Sequence, residues 1–200
     1  MDINKEMLEK LFESMNFEKE IRFEDIPSID LYMDQVITLF ENNLSAYKRS
    51  EKDKILTKTM INNYAKDKLL MSIKNKKYTR EHITLMILIY NLKQSLAIGD
   101  IKKILTPLVG KLENKKEDVP IKEFYNLFLE IKKEESFSIK EDLDKKLEMI
   151  NSSIGNISLG ELDKDYVTSL FMVISLINAS NMYKMLAEKI IDYNLKDNEE

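Results

Sequence analysis

The chain has 200 residues, 31 of them basic and 35 acidic, for a net charge of −4 and a pI of about 5.4. That length suits one domain, or a domain with a helical appendage, and allows a sizeable core. With no Cys and one His, His82, disulfides, thiolate metal sites, Cys nucleophiles and two-histidine zinc sites are excluded, and Ser-His-Asp chemistry has a single base to draw on.

Four Gly and three Pro argue for few tight turns and long helices, so the expected class is mainly α. Ile3, Met7, Leu8, Leu11, Phe12 and Met15 recur at helical spacing and predict an amphipathic helix over about 3–18. After the break at Ile26-Pro27-Ser28, Asp30 is a candidate cap for a helix carrying Leu31, Met33, Val36, Ile37, Phe40 and Leu44 to about Tyr47. A charged loop, Lys48 to Lys54, leads to Thr57, the cap candidate of a short helix ending near Lys68. Leu70 to Tyr78 is too short and broken for another helix, and Lys74-Asn75-Lys76 suits a turn, which predicts a hairpin wing of two brief strands. Thr79 then caps a helix through Leu92, and a further one holds Ile98 to Leu108 with Pro107 late in it.

Beyond that, Pro120 opens a helix through Ile131, Ser138 caps another to about Ser153, and residues 161–195 read as one long helix, or two if Asn178 to Asn181 interrupts it. The start of the chain lacks the charged-then-apolar run of a signal peptide, and Leu170 to Ala179, the most apolar stretch, is about half a membrane span. A cytoplasmic protein with no membrane partner is expected.

Charge divides the chain more sharply than composition. Residues 1–46 hold 4 basic and 11 acidic side chains, 47–80 hold 11 and 3, 81–113 hold 4 and 3, and 114–200 hold 12 and 18. One 34-residue window therefore carries +8 inside an otherwise acidic chain, and it would attract a polyanion locally.

That window contains Thr57-Lys-Thr-Met-Ile-Asn-Asn-Tyr-Ala-Lys-Asp-Lys-Leu-Leu70, followed by Lys76-Lys-Tyr-Thr-Arg-Glu-His-Ile83, Asn91-Leu-Lys-Gln94 and Ile98-Gly-Asp-Ile-Lys-Lys-Ile-Leu105. The pattern resembles the MerR-type winged-helix DNA-binding domain over about residues 30–110. It is similar in particular to a bacterial domain family of unknown function whose members carry a MerR-like fold. The resemblance implies a mainly α, winged helix-turn-helix domain with a small two-stranded wing, at about 30–113. It would be preceded by an N-terminal helix and linker, 1–29, and followed by a helical dimerisation or effector region, 114–200.

In MerR-like domains the second helix starts at a Ser or Thr cap, enters the major groove and ends in Arg-Tyr-Tyr before a Gly-Leu-Leu bend. Here Thr57 stands as the cap, Asn62-Asn63-Tyr64 replaces Arg-Tyr-Tyr, Lys68-Leu69-Leu70 replaces Gly-Leu-Leu, and Lys76-Lys77-Tyr78 takes the place of the wing's basic-x-Tyr. The loop between the first two helices is longer than the family's tight turn, and Asn62 stands where the family has a phosphate-gripping Arg.

The residues support the same face without the resemblance. If Met60, Ile61 and Tyr64 pack inward, a step of about 100° per residue turns Lys58, Thr59, Asn62, Asn63 and Lys66 outward together. Asn pairs with adenine and Lys with phosphate or guanine. Lys74, Lys76, Lys77 and Arg80 would lie on the wing and at the next helix start, within reach of phosphates, and the helix N-terminus at Thr57 adds a phosphate-facing dipole. The expected partner is double-stranded DNA, bound by a homodimer joined through apolar residues such as Val167, Leu170, Phe171, Ile174, Leu176 and Ile177.

Blander readings stand beside these. A basic helix face is commonly just solvated, and the same scaffold could dock an acidic protein instead of DNA. Tyr64 and Tyr78 suit a core, and His82 suits a cap or packing role better than catalysis. The carboxylate pairs Glu134-Glu135, Glu141-Asp142 and Asp163-Asp165, interspersed with lysines, suit solvated helix faces. Phe124, Tyr125, Phe128, Phe171 and Met172 could line an effector pocket but suit core packing. Neither a catalytic activity nor a cofactor is expected, and the sequence names no effector, operator or regulated gene.

Overall fold

The structure is a computed structural model that describes residues 3–16, 19–114 and 119–194. Among these it is mainly helical, with seven α-helices and a small two-stranded antiparallel sheet. Two compact units result, one within residues 1–18 and 130–185, the other within 19–129 and 186–200.

In the second unit, strand β1 (Leu31–Tyr32) leads into α2 (Met33–Leu44), then α3 (Lys58–Lys66), strand β2 (Lys77–Tyr78), α4 (Arg80–Leu92) and α5 (Ile98–Asn114). Helix α4 is the centre. Every residue from His82 to Ile89 is buried, as expected of a helix apolar on all sides. Val36 and Phe40 of α2, Ile61 and Tyr64 of α3, Ile101 and Leu105 of α5, and Ile21, Phe23 and Ile26 from the segment before β1 join the same cluster. The first turns of α6 (Ile121–Ile154) add Ile121 and Tyr125, whose hydroxyl donates to the Ile21 carbonyl at 2.6 Å. This core is therefore wider at both ends than the span 30–113.

Several boundaries differ from the sequence expectation. Asp30 does not open α2; Tyr32 precedes its first turn, donating its N–H to Gln35 Oε1 at 2.9 Å, because residues 31–32 are drawn into pairing with 77–78. The expected hairpin of 70–78 is reduced to its turn. Leu70 and Met71 are buried and the Ser72 N–H donates to Glu113 Oε2 at 2.6 Å, so no strand forms upstream of the turn. Instead β2 pairs with β1, Leu31 opposite Tyr78 and Tyr32 opposite Lys77. Helix α5 continues through Pro107 to Asn114.

The other unit holds α1 (Lys5–Ser14), the C-terminal part of α6 and the N-terminal part of α7 (Lys164–Asn194). Helix α1 is shorter than the expected 3–18, whose last two residues lie outside the described ones, as does residue 195 of the expected last helix. Helix α6 is one continuous element rather than two. Strong helix formers, Lys132 to Glu135, bridge the expected gap, so Ser138 lies inside the helix and caps no new start, and the nearby Ser136 hydroxyl donates back to the Lys133 carbonyl at 2.8 Å. Leu8, Leu147, Ile150, Ile154, Val167 and Met172 form this unit's core. Asp163 caps α7, its Oδ1 accepting from the Tyr166 N–H at 2.9 Å, so that carboxylate is structural.

Helix α7 runs unbroken through Asn178 to Asn181 and is long and apolar enough to cross a membrane by length and composition, with a mean hydropathy of 1.3 and 6% of that window buried. The span is longer than Leu170 to Ala179 because Tyr166 through Tyr183 contains no charged residue. Its face with Val167, Thr168 and Met172 is buried, whereas Leu170, Phe171, Val173, Ile174, Leu176 and Ile177 are exposed. Most of this apolar surface is therefore uncovered in the single chain.

Candidate nucleic-acid interface

Helix α3 begins where Thr57 Oγ1 accepts from the Met60 N–H at 3.2 Å, which satisfies one of the donors a helix start leaves free. Ile61 and Tyr64 are buried and Met60 is half-buried, and burial pushes the Tyr64 hydroxyl up to about 12. Tyr64 is therefore a core residue. Lys58, Thr59, Asn62, Asn63 and Lys66 are all exposed, and helical geometry places them within an arc of about 140°. Lys58 pairs with Asp34 in the first turn of α2 at 2.8 Å, an exposed pair of small energetic weight. Behind the helix, Lys93 of α4 sits with its ammonium 3.9 Å from Met60 Sδ and 5.2 Å from the Tyr90 ring centre, and burial pulls its pKa down.

The turn at 74–77 has left-handed backbone at Asn75 (φ 53°) and Lys76 (φ 58°), and the Lys77 N–H donates to the Lys74 carbonyl at 3.0 Å. Two successive left-handed residues are the mark of a tight hairpin turn, where Asn is well suited and Lys is not. The exposed Lys76 thus stands at the tip, next to the exposed Lys74. Lys77 is half-buried, its ammonium 5.3 Å from the centre of the Tyr32 ring, so β1 supplies the platform on which this cation rests.

Arg80 has partners within the fold. Its Nε donates to the Pro27 carbonyl at 3.2 Å and its guanidinium lies 5.3 Å from the Phe23 ring centre. The side chain ties the segment before β1 to the start of α4. Sequence patterning gave no sign of this, because the contact joins residues 53 positions apart. Tyr32 and Asp34, which contact Lys77 and Lys58, are equally invisible to sequence patterning because those contacts too are non-local.

His82 occupies the third position of α4. Its Nδ1 accepts from the Thr79 N–H at 3.2 Å and its Nε2 donates to the Met71 carbonyl at 3.3 Å, with the ring edge-on to Tyr78. Thr79 Oγ1 lies 2.9 Å from the same Nδ1 and also bonds Glu81. Burial holds the imidazole below the ordinary histidine range, against the opposing influence of the Met71 carbonyl and of Glu81, Glu113 and Asp30. The folded chain therefore keeps the ring neutral where the unfolded chain begins to protonate. Stability should be unaffected by this group above about pH 6.5 and should fall as pH drops below that value. His82→Gln preserves an acceptor at this position and removes the titration, so urea midpoints of wild type and variant should converge near neutrality and diverge toward pH 5 in the variant's favour.

A cleft of about 550 Å³ lies beside the turn, lined in part by Asp30, Lys74, Lys77, Glu81, His82 and Glu113. The five residues that could line an effector pocket fall elsewhere: Tyr125 and Phe128 pack in one core, Met172 in the other, and Phe124 and Phe171 are exposed. Among the described residues no group of three or more His, Cys, Asp or Glu is placed to hold a metal ion.

The fold and this surface together define a helical domain that presents a short polar and basic helix beside a lysine-tipped turn. The chain belongs to the family described as Domain of unknown function (DUF1836), which it matches over residues 21–128, nearly the limits of the core from Ile21 to Leu129. No curated protein and no solved structure matches it.

Proposed function

We propose that the chain is a sequence-specific DNA-binding regulator of MerR-like winged-helix type, with α3 in the major groove and the Lys74–Lys77 turn on the neighbouring phosphates. The observation that carries this reading is the outer face of α3, where five polar side chains are exposed together within a protein of net charge −4. Asn62 lies between Lys58 and Lys66 on this face and Asn63 at its margin, both with amide groups suited to the N6 and N7 edge of adenine. Lys58 and Lys66, with Lys74, Lys76 and Lys77 of the turn, are the phosphate anchors. They supply the grip that the MerR pattern assigns to an Arg at position 62. Arg80 acts from within, holding residues 23–27 against α4.

A helix of nine residues reads only a few base pairs, so two copies bind together, joined through the exposed apolar face of α7. The setting is cytoplasmic, and the regulator needs no catalytic group or cofactor.

The test is the affinity for duplex fragments of the source genome as a function of salt. If a dimer neutralises roughly six to ten phosphates, log affinity should fall with log salt at a slope of about −5 to −9. Absent or salt-insensitive binding sinks the proposal. Salt-sensitive capture of an acidic protein without affinity for duplex would replace DNA by that partner on the same face.

A further inference from the structure

A second cavity, of about 460 Å³, lies between the end of α3, the link from Leu70 to Ile73 and one face of α5. Leu70, Met71, Ile73 and Val109 make its lining largely aliphatic. Gly110 lies in mid-helix, and a Cβ added there would meet nothing within 4 Å. No turn or positive φ requires glycine at this position, and the missing side chain leaves the groove open.

Opposite charges stand at the two ends of the α5 wall. On α5, Lys102 and Glu113 both line it, three turns of helix or roughly 16 Å apart. Glu113 is held by the Ser72 N–H at 2.6 Å, and this bond keeps its carboxyl below the usual carboxylate range. On the opposite wall Lys68 stands at the end of α3, exposed, with φ at 59°. The bend closes with the Leu69 N–H donating to the Tyr64 carbonyl at 2.9 Å, a helix end at which glycine carries no steric cost and lysine does. An ammonium is thus kept at the mouth of an apolar groove at some expense to the backbone.

We propose that this groove binds a medium-chain carboxylate, its head paired with Lys68 and Lys102 and its alkyl chain lying along Leu70, Ile73 and Val109 over Gly110. The apolar middle selects the chain, the two ammoniums select the anionic head, and Glu113 repels the head from the other end, which fixes the direction of entry.

Titration of the full chain with decanoate below its micelle concentration, followed by amide chemical shifts, should give saturable binding, and decanol should bind at least tenfold more weakly. Gly110→Leu fills the open space and should weaken decanoate at least tenfold. Lys102→Gln, on the exposed rim, should do the same to decanoate while leaving decanol unchanged. Lys68→Gly relieves the left-handed lysine, so it should raise the thermal midpoint while weakening decanoate, a combination that damage to the fold does not produce. The proposal is overturned if wild type shows no saturable decanoate binding, if decanol binds as well as decanoate, or if the lysine variants bind like wild type. A folded Gly110→Leu protein with undiminished affinity overturns it as well. No DNA enters these titrations, so their outcome is separate from the duplex experiment.

Discussion

Asn62→Ala is expected to cost about 1–3 kcal/mol of discrimination at one base pair and to leave the salt slope unchanged, whereas Lys66→Ala combined with Lys76→Gly should weaken all duplexes alike and flatten the slope by about four across a dimer. The two outcomes separate because an amide reads a base edge and an ammonium releases counterions from phosphate. Neither substitution reaches the core. Asn62, Lys66 and Lys76 are all exposed, so surface-level changes in stability, within about 0.5 kcal/mol, are expected from the first. Lys76→Gly should stabilise the fold by about 1 kcal/mol, since glycine adopts the left-handed geometry (φ 58°) without a Cβ clash. A protein that melts higher and binds DNA more weakly would place the tip lysine in the interface rather than in the scaffold. If both variants retain wild-type affinity and preference, the outer face of α3 is not where duplex binds. Competition binding against single-base variants of a selected fragment, at several salt concentrations, measures both quantities at once.

The features legible beforehand are those that local chemistry decides. Thr57 and Thr79 precede α3 and α4 because a side chain can satisfy a backbone group three residues away, and such a relation is written in four consecutive letters. The inward set of α3 follows from helical period, with Ile61 and Tyr64 buried and Met60 half-buried, and Asn75 marks a turn by its tolerance of left-handed backbone. What escaped is non-local. Strand β1 is two residues long, too short for an alternating pattern to register, and its partner lies beyond two helices. Ile21, Phe23 and Ile26 enter the core without helical spacing, and the buried hydroxyl of Tyr125 reaches Ile21 from more than a hundred residues away. The partners of Arg80 within the fold, the Pro27 carbonyl and the Phe23 ring, are equally hidden, because that same unpatterned segment brings them to it.

Helix α7 supports the second large prediction, that Ile174→Glu with Ile177→Glu turns the proposed dimer into monomers. Val167, Thr168 and Met172 are buried, while Ile174 and Ile177, 49% and 58% exposed, are uncovered together with Leu170, Phe171 and Val173. A contiguous apolar surface of this kind is uncommon on a monomer and is normally covered. Four glutamates brought into one seam face like-charge repulsion of several kcal/mol, on the order of a hundredfold or more in dissociation constant. Glutamate is a better helix former than isoleucine, so α7 itself should persist, and circular dichroism should not change. Sedimentation equilibrium gives the mass, and duplex affinity should fall with it, since each half-site would then be bound alone. Wild-type protein that is monomeric at micromolar concentration, and stays in the supernatant with vesicles, removes the seam. Wild-type protein that floats with phosphatidylcholine vesicles assigns the uncharged run from Tyr166 to Tyr183 to a bilayer instead, and a membrane-held chain would replace the proposed cytoplasmic dimer.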